Sequence, residues 1–308
     1  MTSRAQDWTT IAPGPHDIRL VVADMDGTLL DGDGRIPDDF WPLLDDLKAR
    51  GIEFVPASGR QLATLRAMFE FDDSNRSDES GESGESTLES ADESGRAMSF
   101  VAENGNVVVA DGGIVDVHGV GWDLTRDLID IVDRAVESGS HDIGLVVCGL
   151  RTAYVQRKDR PFVDECSKYY KALEVVDDLH EVLGTPGETV LKLAIFDFDA
   201  AEPMASDLLG GVARTHAVVV SGAHWVDIMD PDTNKRQGVV SLRRHFGVSA
   251  AQTAVFGDYL NDLEMLEAGE WSFAMANAHD DLKAVARYIA PANTDHGVIR
   301  VVRRLIGG

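Results

Sequence analysis

The stretch Val21-Val22-Ala23-Asp24-Met25-Asp26-Gly27-Thr28 decides the fold that we expect for this 308-residue chain. It continues an apolar, β-branched run, residues 18–22, that is typical of a strand buried in a parallel sheet. The run ends on two carboxylates, Asp24 and Asp26, and then on Gly27-Thr28, where the chain can turn. In open α/β sheets, ligands bind beyond the carboxyl ends of the strands. We therefore expect Asp24 and Asp26 to lie at a site of chemistry.

The spacing of these two acids indicates a metal ion. In an extended segment, side chains two positions apart project to the same side. Two carboxylates on one side repel each other unless a cation or a shared proton lies between them. Mg²⁺ is a hard cation that prefers oxygen ligands, and we expect it here.

The composition excludes several classes of partner. The formal net charge is −25, of which residues 72–95 contribute −8 and the rest of the chain −17. Such an acidic surface disfavours nucleic acid and anionic membranes as partners. The sequence has no long apolar run and no secretory signal, so we predict a cytoplasmic protein that does not span a membrane. Cys148 and Cys166 are too few for a disulfide framework.

The order of predicted elements indicates an α/β core with an insertion. The predicted strand at 18–23, helix with Phe40, Leu43, Leu44 and Leu47 on one face, strand at 52–57 and helix at 61–71 alternate as βαβα. This rhythm returns after Lys235. Between these two α/β stretches, the predicted hairpins are mixed with helices, which favours a separate α+β module. We predict a core of residues 1–105 and 222–308, a module of residues 106–221, and a disordered acidic insertion at 72–97.

Three further segments carry candidate functional residues. Ser58-Gly59-Arg60 follows the second strand, where a hydroxyl and free N–H groups bind an anion, although serine there is equally an N-cap. Lys235 starts a predicted helix, where its charge can offset that of an anion. Gly257-Asp258-Tyr259-Leu260-Asn261-Asp262 follows the strand at 253–256, and its acids can complete a metal site. We expect Asp258 and Lys235 within about 10 Å of Asp24.

The run DMDGTLL at residues 24–30, the Ser-Gly-Arg run, Lys235 and GDYLND at residues 257–262 resemble the four ordered motifs of the haloacid dehalogenase superfamily of aspartate-dependent phosphohydrolases. The large insertion between the second and third motifs resembles its Cof-type, class IIB branch. This resemblance implies a Rossmann-like parallel-sheet core with an α+β cap domain. It also implies a Mg²⁺-dependent phosphatase that hydrolyses a small phosphorylated metabolite, such as a sugar phosphate, through an aspartyl-phosphate.

The resemblance also implies roles for individual residues. Asp24 would be the nucleophile, Asp26 the general acid and then base, and Lys235 the group that stabilises the phosphoryl charge. Asp24, Asp258 and the Asp26 carbonyl would hold the metal. Contacts to the phosphate would come from Met25, Ser58, Gly59, Lys235 and Asn261.

Several assignments stay open at this point. Asp262 is expected either to hold Lys235 or a metal-bound water, or to be only a helix N-terminal charge. Arg60 and Asn104 are candidate substrate contacts, and Arg60 is equally a candidate surface residue. The family lysine is often followed by glycine, and here Arg236-Gln237 come before Gly238, which leaves the loop geometry open. Arg236 is a competitor for the role of Lys235. Phe196-Asp197-Phe198-Asp199 is a second Asp-X-Asp run, which we interpret as turn acids of the inserted module.

Two alternative functions also fit the sequence. A phosphosugar mutase of the same superfamily would use the same motifs. A non-catalytic phosphate-binding protein is disfavoured, because every residue that the chemistry needs is present.

Overall fold

The computed structural model describes residues 5–70, 98–170 and 172–308. By their contacts, the residues form two compact units: a core unit of Met1–Asp116 with Asn234–Gly308, and an inserted unit of Val117–Thr233. The acidic insertion that we predicted at 72–97 lies outside the described residues.

The strands and helices alternate along most of the chain. The strands are β1 (Gln6–Asp7), β2 (Leu20–Asp24), β3 (Glu53–Ala57), β4 (Phe100–Ala102), β5 (Val107–Ala110), β6 (Gly113–Val117), β7 (Ile143–Gly149), β8 (Ala153–Val155), β9 (Leu173–Val175), β10 (Val190–Asp197), β11 (Ala217–Val220), β12 (Trp225–Met229), β13 (Thr253–Gly257), β14 (Trp271–Met275) and β15 (Tyr288–Ala290). The helices are α1 (Phe40–Ala49), α2 (Leu62–Glu70), α3 (Trp122–Ser138), α4 (Arg160–Tyr169), α5 (Ala201–Leu208), α6 (Lys235–Phe246), α7 (Leu263–Leu266), α8 (Asp280–Val285) and α9 (Gly297–Ile306).

The core unit is built on one sheet, in the order β1-β15-β14-β13-β2-β3-β4-β5-β6. Every neighbouring pair from β1 to β4 is parallel, and β4 pairs with β5 antiparallel. All five residues of β2 are buried, as expected for a strand covered on both faces. Because β2 lies between β3 and β13, the chain leaves it in one direction and returns on its other side, which makes its carboxyl end a switch point of the sheet.

The helix after β2 follows the predicted pattern. The four side chains that we placed on one face of α1 are the buried ones: Phe40, Leu43, Leu44 and Leu47. Gly51 follows α1 with a φ of +68°, a left-handed conformation that ends the helix and that glycine adopts at little cost. The buried face and the end of the helix are therefore where its sequence indicates.

The inserted unit has a second sheet, in the order β11-β12-β10-β7-β8-β9, in which every pair is antiparallel except β8 with β9. Alternate residues of β7 belong to different hydrophobic clusters, Leu145 and Val147 to one and Val146 and Cys148 to the other. The first cluster includes α3 and α5, and the second includes Phe162 of α4. Helices therefore cover both faces. Together with the mostly parallel core sheet, this mixed sheet confirms the predicted α/β class with an inserted α+β module.

The boundaries between the units differ from the predicted 106–221. Val107–Ala110 lies in the core sheet, because it pairs with β4 (Val101 opposite Val108). Trp225–Met229 lies in the inserted sheet, because it pairs with β10. Both boundaries therefore lie later in the chain than predicted, at 117 and 233.

Among the residues that the structure describes, no helix combines the length and the apolar character needed to cross a bilayer.

Candidate active site

Three parallel strands bring the predicted site residues together. Asp24 ends β2, Ser58 follows β3 and Asp258 follows β13, and both β3 and β13 are neighbours of β2. These carboxyl ends open on a cleft of about 410 Å³ in the core unit. The cleft is lined by Asp24, Asp26, Ser58, Gly59, Arg60, Asp258, Tyr259 and Asn261.

Lys235 lies beneath this cleft and is fully buried. Its Nζ donates to Asp24 Oδ1 at 2.5 Å and to Asp262 Oδ1 at 2.7 Å. Asn234 fixes the start of α6, because its side chain accepts a hydrogen bond from the backbone N–H of Gln237. Arg236, the competitor for the role of Lys235, points away and lies 3.8 Å from Glu267. The structure thus places Lys235, and not Arg236, beside Asp24.

Burial decides the pKa shift of Asp24, and neighbouring charges decide that of Lys235. Burial raises the pKa of Asp24 to about 7, against the opposing charge of Lys235. Burial alone would lower the pKa of Lys235, but the charges of Asp24 and Asp262 outweigh it, and the net shift is upward. Lys235 therefore stays an ammonium. A further cation beside Asp24 would favour the ionised form of its carboxyl group.

Asp262 supports Lys235 from below. Besides the lysine, it accepts hydrogen bonds at Oδ2 from the backbone N–H groups of Asp258 (3.1 Å) and Tyr259 (3.3 Å). Gly257 makes room for this carboxylate, since a Cβ there would lie 2.6 Å from the Asp262 Cβ. Of the two interpretations of Asp262, the contact with Lys235 is the one that the structure shows.

Three acids form a candidate metal centre. Asp24, Asp258 and Asp262 each offer one carboxylate oxygen, and these atoms lie within 4.8 Å of one another. Thr28 Oγ1 donates to Asp258 Oδ1 at 3.0 Å. Gly27, with a φ of +80°, leaves the space that Asp258 fills, because a Cβ there would lie 2.3 Å from Asp258 Oδ2. Burial raises the pKa of Asp258, which a bound cation would reverse.

Asp26 does not join this triad with its side chain. It forms a two-pronged ion pair with Arg60, whose Nε lies 2.9 Å from Oδ2 and whose Nη2 lies 2.5 Å from Oδ1. We listed Arg60 as a substrate contact or a surface residue. The structure shows a third arrangement, in which Arg60 is paired with Asp26, the residue that is expected to act as acid and base.

The phosphate-binding candidates surround a bridging asparagine. Ser58 Oγ accepts a hydrogen bond from the backbone N–H of Arg60 at 3.1 Å, as an N-cap would, which leaves its own proton to donate. Asn104 donates from its backbone N–H to the Ser58 carbonyl at 3.0 Å and accepts from Asn261 Nδ2 at 3.3 Å. Asn104 therefore links two loops of the cleft without lining it. The Met25 side chain is fully buried, so Met25 has only its backbone to offer.

Sequence reasoning missed two asparagines that contact the loop after β2. Asn277 Nδ2 donates to the Gly27 carbonyl at 2.8 Å, and its Oδ1 accepts from the backbone N–H of Asn293 at 3.1 Å. Asn293 Nδ2 in turn donates to the Leu30 carbonyl at 2.9 Å. Both ends of the loop after β2 are thus braced. Because Asn277 follows β14 by two residues, the rule that located Asp258 would also have located it.

A family model for haloacid dehalogenase-like hydrolases matches residues 21–76 and 80–302, which is most of the chain. The chain belongs to the haloacid dehalogenase-like hydrolase family. Within this family it is similar to 5-amino-6-(5-phospho-D-ribitylamino)uracil phosphatase YbjI of Escherichia coli, with 29% identity over 94% of this chain and 96% of that one. It is also 24% identical to phosphatase YwpJ of Bacillus subtilis, over 94% of this chain and 100% of the relative.

The fold is also similar to a solved structure of the same family. The subclass IIB sugar phosphatase BT4131 matches with a TM-score of 0.64 and 19% identity, over 92% of this chain and 96% of that one. At this identity the likeness shows the fold alone. The predicted recognition as a haloacid dehalogenase-like hydrolase is confirmed, and the protein is a phosphatase of this family, as predicted.

Proposed function

We propose that this haloacid dehalogenase-like phosphatase uses Mg²⁺ and an aspartyl-phosphate on Asp24 to hydrolyse a small phosphorylated metabolite, such as a sugar phosphate. One observation carries the proposal: the carboxylate of Asp24, at the end of a central strand, lies 2.5 Å from a fully buried ammonium and beside two further acids. Because Lys235 contacts Oδ1 of Asp24, the other carboxylate oxygen can attack phosphorus. The names of the relatives YbjI and BT4131 support a phosphorylated metabolite as the substrate.

In this proposal, Asp24 attacks the phosphorus with the oxygen that Lys235 does not hold. Lys235 fixes Oδ1, which leaves Oδ2 to approach the phosphorus in line with the leaving oxygen. The new bond joins Asp24 to phosphorus while the bond to the leaving oxygen breaks. Lys235 then offsets the negative charge that the phosphoryl group brings into a site already rich in acids.

The neighbouring loops would hold the phosphoryl oxygens. Ser58 has a hydroxyl proton to donate, and Asn261 has an amide on the cleft wall. Both contribute neutral donors, which suits a phosphate whose charge is balanced mainly by cations. Their roles as phosphate ligands follow from position and chemistry together.

Asp26 would transfer protons in both half-reactions. It would give a proton to the leaving oxygen as Asp24 attacks, and later take one from the water that attacks the aspartyl-phosphate. The chain position two residues after Asp24 and the place of Asp26 on the cleft wall support this role. Arg60 contacts each oxygen of Asp26 once, so the transferred proton would use a lone pair that Arg60 does not occupy.

The acids of the site suit Mg²⁺. Asp24 and Asp258 would hold the ion together with the Asp26 carbonyl, since Asp262 already accepts three hydrogen bonds. Carboxylate and carbonyl oxygens are the donors that this hard cation prefers. When bound, Mg²⁺ would neutralise charge on the phosphoryl group and on the acids that face it.

The test is phosphate release from a panel of phosphorylated metabolites, with Mg²⁺ and with a chelator. We expect release that depends on Mg²⁺ and disappears in Asp24→Asn. Turnover at the normal rate in that variant would overturn the nucleophile assignment. Conversion of a hexose phosphate to its isomer, in the presence of a trace of bisphosphate and without release of phosphate, would instead indicate a mutase.

A further inference from the structure

Tyr259 is an exposed aromatic ring on the wall of the cleft. It lies directly after Asp258, and 59% of its surface is accessible. A tyrosine usually buries most of its ring, and packing in the core does not explain why Tyr259 lies at this exposed position. The catalytic scheme above gives Tyr259 no role.

The backbone of Tyr259 is anchored, and the exposed ring has an aromatic neighbour. The Tyr259 backbone N–H donates to Asp262 Oδ2 at 3.3 Å, which fixes the loop. The ring meets His279 edge to face, with centroids 5.9 Å apart. The His279 backbone N–H also donates to the Asp258 carbonyl at 2.8 Å, so the histidine is itself anchored to this loop. Tyr259 therefore combines an anchored backbone with an exposed ring, which suits a stacking contact.

The charges of the cleft restrict what can lie against this ring. The described residues that line the cleft include three carboxylates and one cation, Arg60, which is already paired with Asp26. One phosphoryl group would use Mg²⁺ and Lys235. A second anionic group on the leaving alcohol would meet carboxylates, in a protein of net charge −25. The leaving group that suits this wall is uncharged.

We propose that Tyr259 is a specificity-determining residue that stacks on the leaving group and selects phosphomonoesters whose leaving alcohol carries a flat, uncharged ring. The inference rests on the proposed phosphatase function. It concerns the choice of leaving group and not the chemical step, because Tyr259 lies on the cleft wall and is absent from the cluster of Asp24, Asp258, Asp262 and Lys235.

Two substrates with similar chemical reactivity test the proposal. Phenethyl phosphate and ethyl phosphate are both esters of primary alcohols, and only the first carries a ring. We would measure kcat/KM for both, from released phosphate with Mg²⁺, in the wild type, Tyr259→Ala, Tyr259→Phe and Leu260→Ala. Leu260 is the matched control, because it is the next residue and is 37% exposed, but does not line the cleft.

The expected result is a preference for phenethyl phosphate that Tyr259→Ala reduces about 5- to 10-fold, the size of a lost aromatic contact. In that variant, ethyl phosphate should be turned over within about twofold of the wild-type rate, as expected for a residue outside the chemical step. Tyr259→Phe and Leu260→Ala should keep the preference. A preference that survives in Tyr259→Ala, or falls equally in Leu260→Ala, would overturn the inference while the phosphatase function stands. Absence of hydrolysis of either ester, in a protein that also releases no phosphate from the metabolite panel, would overturn both.

Discussion

Two Asp-X-Asp runs follow apolar strands in this chain, and their surroundings differ. Asp24 at the end of β2 contacts Lys235 and lies in a cluster with Asp258 and Asp262. Asp197 at the end of β10 is as buried, but it accepts a hydrogen bond from the backbone N–H of Asp199 at 2.7 Å, which closes a local turn. Its other carboxylate oxygen lies 3.9 Å from His141 Nδ1. The same motif is a candidate catalytic site in one unit and a turn in the other.

The direction of the neighbouring strands explains the difference. β2 is parallel to both of its neighbours, so three carboxyl ends and the residues after them meet at one edge of the sheet. β10 is antiparallel to β7 and β12, so their carboxyl ends lie at the opposite edge. An Asp-X-Asp run therefore indicates a site only together with the direction of the strands beside it.

The sharpest test of this comparison changes each first acid. We expect Asp24→Asn to lower kcat at least about a thousandfold, because the amide is a poor nucleophile. Asp197→Asn should leave kcat of the folded protein within about twofold, since Asp197 contacts no residue of the cleft that the structure describes. Phosphate release, with the folded fraction checked by circular dichroism, measures both. A comparable loss of activity in both variants would refute the distinction.

The second test removes one lysine from each unit. Lys235→Met leaves two buried carboxylates without their ammonium, and we expect a loss of about 3–5 kcal/mol in the free energy of unfolding. Lys192, in the inserted unit, forms an ion pair with Asp227 at 3.2 Å and is 21% exposed. Lys192→Met should cost about 1 kcal/mol or less. Urea unfolding without metal measures both, and equal losses would show that the burial of Lys235 has no special consequence.

The third test replaces one arginine from each unit by lysine, which cannot form a two-pronged contact. Arg60→Lys should lower kcat about tenfold, because Asp26 loses the group that orients it. Arg157 also binds two acids, Asp142 and Asp159, and it stacks over Phe198 at 4.5 Å. Arg157→Lys should change stability but not kcat. An unchanged kcat in Arg60→Lys would show that the Arg60 contact is not needed to position Asp26.

The smallest expected effect concerns pH. Burial raises the pKa of Asp24 in the folded protein to about 7. The metal-free protein should therefore lose stability as the pH rises from the pKa of the carboxyl group in the unfolded chain towards 7. Mg²⁺ binds the ionised form, and it should therefore raise Tm more at about pH 8 than at about pH 5. Thermal melts at both values, with and without Mg²⁺, measure this. In Asp197→Asn the same dependence should remain, whereas in Asp24→Asn it should shrink.

Much of the core was predictable because its signals are local. The β-branched run of β2, the buried face of α1 and the glycine after it are each fixed by a few neighbouring residues. The position of the site followed from one general rule about strand ends, which brought Asp24, Ser58 and Asp258 to the same edge.

The features that the sequence did not predict depend on which segments pair in the folded protein. A short valine-rich run such as Val107–Ala110 fits either sheet, and its partner β4 decides the matter. The ion pair of Arg60 with Asp26 joins two loops that approach each other only in the folded sheet. The contact from Asn277 to the Gly27 carbonyl spans 250 residues, so the strand-end rule indicates the position of Asn277 but not its partner.

The bond between Asp24 and Lys235 joins residues 211 positions apart. During synthesis, the continuous segment that forms the inserted unit leaves the ribosome before Lys235 does, and it can fold first. The core has to wait, because β13, β14 and β15 complete its sheet on one side of β2 and come from the last part of the chain. A nascent or prematurely terminated chain that stops before Asp258 therefore has its nucleophile but lacks part of the centre around it. The complete cluster of acids can therefore form only after Asp262 has been translated.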